Sequence, residues 1–154
     1  VEEMNAALET AFEVDNEIII ESFLDGVEVS VGAYQIGDEI KVLLPTEIVS
    51  ENDFFDYEAK YQGKSKEITP ARIKDENTKA VQQTTRRIYQ VLKLKGLARA
   101  DFIFHKGIPH FIEINTNPGM SKESIVPQQI TASGLILKKV LTEIIENTIK
   151  YHIT

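Results

Sequence analysis

The chain contains no cysteine, which removes disulfide frameworks, thiolate zinc sites and cysteine nucleophiles together. It is also short of positive charge: 17 Lys and Arg stand against 24 Asp and Glu, a net charge of −7 at pH 7. A nucleic-acid-binding surface needs clustered cations to neutralise phosphates, so no nucleic-acid partner is expected. Long apolar runs are missing. Ile18-Ile19-Ile20 is typical of the strand-sized pieces present, far below the roughly 20 residues of a membrane-spanning helix. The opening Val1-Glu2-Glu3-Met4-Asn5 has neither a basic start nor a hydrophobic signal core. No membrane partner and a reducing cytoplasm are the resulting expectations. There is no internal repeat, low-complexity tract or linker, so the 154 residues read as one domain. At 42% hydrophobic and 27% charged residues, that domain can bury an ordinary core. Val1 stands inside what already reads as a helix, so a longer protein with an N-terminal part before this chain is expected.

Met4, Ala7, Leu8, Ala11 and Phe12 recur at helical spacing and predict an amphipathic helix ending near Val14-Asp15-Asn16. Ile18 to Phe23 is a β-rich run, and Val27 to Tyr34 alternates apolar with polar or small residues, as a half-buried strand does. Gly37-Asp38 marks a turn, and Glu39 to Val49 supplies one further strand. From Ser50 to Ile73 the pattern lapses in an aromatic-rich stretch, the mark of a functional loop. Asp75 to Leu94 then reads as a helix with Val81, Thr84, Ile88, Val91 and Leu92 on its buried face and Gly96 as its stop. Ala98 to His105 and Ile108 to Asn115 are two strands around Lys106-Gly107, and Leu137, Val140, Leu141, Ile144, Ile145 and Thr148 mark a closing helix. Strands and helices without regular βα alternation predict an α+β fold with a mainly antiparallel sheet and flanking helices.

The chemistry gathers on the last strand pair. Arg99 and Asp101 share one face of their strand, and Glu113 and Asn115 share one face of its partner. A three- or five-residue loop around Gly107 sets Asp101 opposite Glu113 and Arg99 opposite Asn115; a two-residue loop sets Asp101 against Ile112 and scatters the cluster. Two facing carboxylates repel unless a cation or a proton separates them. Oxygen ligands without His or Cys suit Mg²⁺, which completes its shell with phosphate oxygens and water. The same residues also suit a solvent-facing hairpin in which Arg99 merely pairs with Asp101 or Glu113. Asn115 to Met120 then runs straight into turn chemistry, where Gly119 lets the backbone approach a ligand and its N–H can meet an oxyanion. Ser124 can bind a carboxylate. The histidines at 105, 110 and 152 show no ligand spacing.

Arg99-Ala100-Asp101, the run Glu113-Ile114-Asn115-Thr116-Asn117-Pro118-Gly119-Met120, Ser124-Ile125-Val126-Pro127, the run Glu21 to Glu28 and Tyr57-Glu58-Ala59-Lys60-Tyr61 occur in one order and spacing. Together they resemble the ATP-grasp enzymes, and within them the D-alanine–D-alanine ligases, over nearly the whole chain. The resemblance implies that residues 1–154 form the C-terminal ATP-grasp catalytic domain. It implies a reaction in which ATP phosphorylates the carboxylate of one D-alanine and the amine of a second attacks the acyl phosphate, giving the dipeptide used in peptidoglycan synthesis. Asp101, Glu113 and Asn115 are then ligands for two Mg²⁺ (or Mn²⁺) ions, with Glu113 bridging them. Arg99 faces the acyl phosphate, Gly119 offers its N–H to the tetrahedral oxyanion, and Ser124 holds the second D-alanine's carboxylate.

By the same resemblance, Lys60 reaches the transferred phosphoryl group or the incoming substrate, and Tyr61 fixes the loop that keeps water from the acyl phosphate. Backbone groups around Phe23 and Leu24 read the adenine edge, Glu21 lies near its amino group, and Glu28 takes the ribose hydroxyls. Phe102 and Ile112 either sandwich the base or belong to the core. The Tyr57-to-Tyr61 pattern, which the depsipeptide ligases of vancomycin resistance tend to lack, favours an amine acceptor. Such enzymes carry N-terminal and central domains that supply a phosphate-binding lysine and a Gly/Ser-rich loop. This chain has no substitute such as G-x-x-x-x-G-K-[ST], so alone it is expected to be inactive, while the complete protein is expected to be a homodimer. Alternatives are another ATP-grasp carboxylate–amine ligase and a noncatalytic nucleotide-binding module.

Overall fold

A computed structural model describes residues 2–50 and 65–152. Its elements are α1 (Glu2–Phe12), β1 (Val27–Ile36), β2 (Glu39–Val42), β3 (Thr46–Ser50), β4 (Ser65–Ile68), α2 (Asp75–Val91), β5 (Leu97–His105), β6 (Ile108–Asn115), α3 (Ile125–Ala132) and α4 (Leu137–His152). The strands form one antiparallel sheet in the order β4-β3-β1-β5-β6, with β2 also paired to β1. This is the expected α+β architecture of an antiparallel sheet with flanking helices.

β1 is the centre of the sheet, and the expectation of a half-buried strand is corrected there: Val29 through Tyr34 are all buried. Val29 and Val31 pack with Val81 of α2 and with Ala100, Phe102 and Phe104 of β5. On the opposite face Tyr34 packs with Val126, Ile130 and Val140 of α3 and α4. Ser30 and Gly32, between them, are covered by protein rather than water. Polarity on that face marks a site, not solvent.

The single strand expected over Glu39–Val49 is broken at Leu43-Leu44-Pro45 into β2 and β3, both on the same edge of β1. Pro45 brings no N–H to a ladder. β4 lies inside the stretch that shows no sequence pattern, being short and carrying Ser65, Lys66 and Glu67. The β-rich run at Ile18–Phe23 forms no strand. Strand propensity expresses a fit to neighbours on a pleated surface, and β1 already has β5 on one edge and β2 and β3 on the other. Ile19 and Phe23 are accordingly 86% and 73% exposed.

α2 is shorter than expected and turned: Val81, Thr85 and Tyr89 are its buried residues, while Val91 is 70% exposed. Its stop is not Gly96. Lys93 takes the left-handed conformation at φ 50°, with Leu94 N–H bonded to Tyr89 O and Lys93 N–H to Gln90 O, the paired bonds of a Schellman ending. α4 packs Val140 against β1 as expected, leaving Ile145 and Ile149 exposed.

Candidate functional site

The β5–β6 hairpin takes the two-residue connection left open in the sequence and still pairs Asp101 with Glu113. Its connection is the two-residue turn Lys106-Gly107, with φ of 52° and 79°, the left-handed pair that a tight hairpin turn requires. Pairing runs regularly from His105↔Ile108 to Phe102↔Phe111, and then a β-bulge admits Ile112 as an extra residue. Beyond it Asp101 faces Glu113 and Arg99 faces Asn115. The bulge, rather than the length of the loop, sets this register, and it cannot be read from a two-residue side-chain period.

Cross-strand partners share a face, so the pairings resolve into three rows on one side of the sheet. The first is Glu67–Ile48–Glu28–Ile103, the second Thr46–Ser30–Asp101–Glu113, and the third Gly32–Arg99–Asn115. Members of the first two rows, with Arg99, Ile112 from the bulge and Ile125 from α3, line a cavity of about 370 Å³. That is the size range of small-molecule sites.

Arg99 grips Asp101 with both arms, Nε donating to Oδ1 at 3.0 Å and Nη2 to Oδ2 at 2.8 Å. Ser30 Oγ donates to Asp101 Oδ1 at 2.6 Å. Burial alone pulls the Arg99 guanidinium down; the hydrogen bonds and charge of Asp101, with Glu113 and Glu67 beyond, outweigh it and raise its pKa above the ordinary arginine value. Desolvation pushes the Glu67 carboxyl up, against the opposing pull of Gln128 and Arg99. Arg99 is thus a fixed cation among acidic groups.

The second half of the site is the loop from β6 into α3. Asn115 Oδ1 accepts Asn117 N–H at 2.9 Å, and Pro118 is buried. A Cβ on Gly119 would lie 2.8 Å from Ser124 Oγ, so a larger residue here would displace the Ser124 hydroxyl. Ser124 is the N-cap of α3 but makes no side-chain cap; its hydroxyl pairs with Ser121 Oγ at 2.8 Å. The first N–H groups of α3 therefore lack a side-chain acceptor from their own cap, an arrangement suited to a carboxylate.

Arg99, Asp101, Glu113, Glu28 and Ile112 come together as the sequence predicts, with Asn115 in register beside them and Gly119 next to Ser124. Phe102 does not join them. It is 0% exposed, on the opposite face of β5 in the α2-side core, and meets Phe111 edge-on at 5.8 Å. Ile103, in its place, is on the cavity wall with Ile112, legible as the residue two beyond Asp101. Ser30, two beyond Glu28, was open to the same reading. Glu67, in a stretch without pattern, had no such signal. Glu21, Phe23 and Leu24 lie in the segment before β1 that forms no strand, and they are not among the described residues lining the cavity. Lys60 and Tyr61 lie outside the described residues. His105 Nδ1 meets Asp25 O at 2.7 Å and its ring stacks edge-on with His110, which is no ligand geometry.

Among the described residues no three His, Cys, Asp or Glu side chains gather to hold a metal. The donor set is two carboxylates and an amide oxygen. This fits Mg²⁺, which binds through one or two carboxylates and completes its shell with substrate phosphates and water; it does not fit a metal that needs an all-protein cage.

The family model described as D-ala D-ala ligase C-terminus matches residues 1–146. A D-alanine–D-alanine ligase from Flavobacterium johnsoniae is 58% identical over 144 residues, 94% of this chain and 45% of that protein. The VanG D-Ala:D-Ser ligase from Enterococcus faecalis superposes with a TM-score of 0.83 at 37% identity, covering 95% of this chain and 43% of that one. The D-alanine–D-alanine ligase from Bacillus anthracis complexed with ATP gives 0.78 at 33% identity, covering 97% and 48%. The chain spans about half the length of the curated relatives it matches. On a match running almost end to end, the chain belongs to the D-alanine–D-alanine ligase family, in its C-terminal region.

Proposed function

We propose that the complete gene product joins two D-alanines to D-alanyl-D-alanine at the expense of ATP, for peptidoglycan synthesis, and that these residues form the floor of its active site. The observation that carries this reading is the pairing of Asp101 with Glu113 beside Arg99 on the floor of the cavity. Asp101, Glu113 and Asn115 would hold the divalent cations. When bound, these ions offset the charge of the triphosphate and hold it in line for transfer.

The remaining steps fall to the chain's own groups. Glu28 takes the ribose hydroxyls, and Ile103 and Ile112 give the base an apolar seat. Transfer of the terminal phosphoryl group to a carboxylate oxygen of the first D-alanine gives ADP and an acyl phosphate, beside the fixed charge of Arg99. The acceptor amine forms a bond to the carbonyl carbon and loses a proton, and phosphate departs with the electrons of the breaking C–O bond. Gly119 N–H faces the oxyanion formed between these events. Ser124 and the first turn of α3 hold the acceptor's carboxylate. Lys60 and Tyr61 are carried by resemblance alone, with the role of keeping water from the acyl phosphate.

The test is phosphate release and dipeptide formation by the complete gene product with D-alanine, D-serine and D-lactate as acceptors. D-alanine is expected to be used; a protein inert with D-alanine and active with another acceptor refutes the assignment. The 154-residue chain alone is expected to form no dipeptide. We place the complete protein in the cytoplasm as a homodimer. No helix among the described residues is long and apolar enough to cross a membrane, which accords with that placement.

A further inference from the structure

We propose that Ser30 is a positioning residue that fixes which oxygen of Asp101 faces the divalent cation, an inference that rests on the proposed cation site. A carboxylate has about four lone-pair positions, two on each oxygen. Asp101 Oδ1 takes two donors, Ser30 Oγ at 2.6 Å and Arg99 Nε at 3.0 Å, whereas Oδ2 takes Arg99 Nη2 alone at 2.8 Å. Oδ1 is thereby saturated, and Oδ2 is the oxygen that keeps a lone pair.

Arg99 cannot secure this orientation by itself. Its guanidinium is also the cation assigned to the acyl phosphate, and any turn toward that group loosens its two-armed grip on Asp101. Ser30 has no second task and little freedom. It is 2% exposed at the centre of β1, between Thr46 and Asp101. Its own carbonyl is held by Gln129 Nε2 at 2.8 Å. The hydroxyl has one acceptor to serve, and it sits where its hydrogen bond locks Asp101 against rotation. Outer partners that orient a metal ligand typically contribute about ten- to a hundredfold in affinity.

The test measures Mn²⁺ binding, by the loss of the free-ion electron paramagnetic resonance signal, in the complete gene product with a non-hydrolysable ATP analogue. Ser30→Ala is expected to weaken binding by about tenfold or more. Circular dichroism melting should show little change, because Asp101 keeps both bonds to Arg99. The pair Ser30→Thr and Ser30→Val, equal in size and differing in the hydroxyl, separates geometry from steric strain. Thr is expected to bind Mn²⁺ about tenfold more tightly than Val. Equal affinities in that pair, or wild-type affinity in Ser30→Ala, overturn the inference alone. A wild-type protein that binds no Mn²⁺ overturns the cation site beneath it.

Discussion

Replacing Gln129 by Met tests what holds α3 to the sheet beneath the cavity. Gln129 is 0% exposed on α3. Its Oε1 accepts Gly32 N–H at 2.9 Å, and its Nε2 donates to Ser30 O at 2.8 Å and to Thr46 Oγ1 at 3.0 Å. These bonds serve β1 in the gap where β2 and β3 part. Met fills the space but serves none of them. Thr46 keeps its partner, Thr69 Oγ1, at 2.6 Å, and Ser30 stays paired with Thr46 in the β1–β3 ladder, so the loss falls on the buried Gly32 N–H. At about 1–3 kcal/mol for a buried group left unsatisfied, Gln129→Met should cost about 1–3 kcal/mol. For a chain of this size that lowers Tm by roughly 2–12 °C, read by calorimetry or by urea denaturation.

Gln129→Glu sharpens the test. It keeps an acceptor for Gly32 N–H but points an anionic oxygen at the Ser30 carbonyl. Burial raises the folded-state pKa of such an acid above its unfolded value, so the folded form binds the proton more tightly. Protonation also restores a donor toward Ser30 O. Stability relative to Gln129→Met should therefore rise as pH falls through the raised value. A Gln129→Met protein melting within about 1 °C of wild type, less than the shift expected from about 1 kcal/mol, refutes the reasoning.

Two further perturbations address the register and the far edge. Deleting Ile112 removes the extra residue of the bulge and lets Glu113 meet Asp101 in a regular ladder. Mn²⁺ binding should survive while affinity for the nucleotide falls by about tenfold, as expected when about 1.4 kcal/mol of apolar contact is lost; titration calorimetry that shows the reverse order refutes this role for the bulge. At the β3–β4 edge, the side-chain hydrogen bonds from Arg72 hold the Glu47 carboxyl below its ordinary value, against the opposing effect of burial. A lowered folded pKa gives stability that is complete above the unfolded value and is lost as pH falls through the folded one. Urea titrations below about pH 4.3, the usual Glu value, should show wild type losing stability more steeply than Glu47→Gln, and parallel curves would exclude the pair as a source of acid sensitivity.

The parts of the site legible in the sequence are those that follow a short period or a local motif. Arg99 and Asp101, like Glu113 and Asn115, fall on one face because strands alternate, and the turn at Lys106-Gly107 announces itself. What stayed hidden depends on partners distant in the chain. Gln129 reads as one polar residue on a short helix until β2 and β3 are seen to part opposite it. β4 is too short to carry a pattern, so Glu67 had no face to be assigned to. Phe102 stays open between base and core in the sequence because alternation separates the two faces of β5 without saying which one borders the cavity. The end of α2 at Lys93 rather than Gly96 shows a side chain in a conformation that glycine favours.

The burial of β1 on both faces carries a consequence for motion. Glu28 and Ser30 belong to the strand whose backbone is bonded on both edges and covered above and below, so displacing them means opening the sheet at its middle. The floor of the proposed nucleotide site is consequently stiff, and ligands meet it as a surface already shaped.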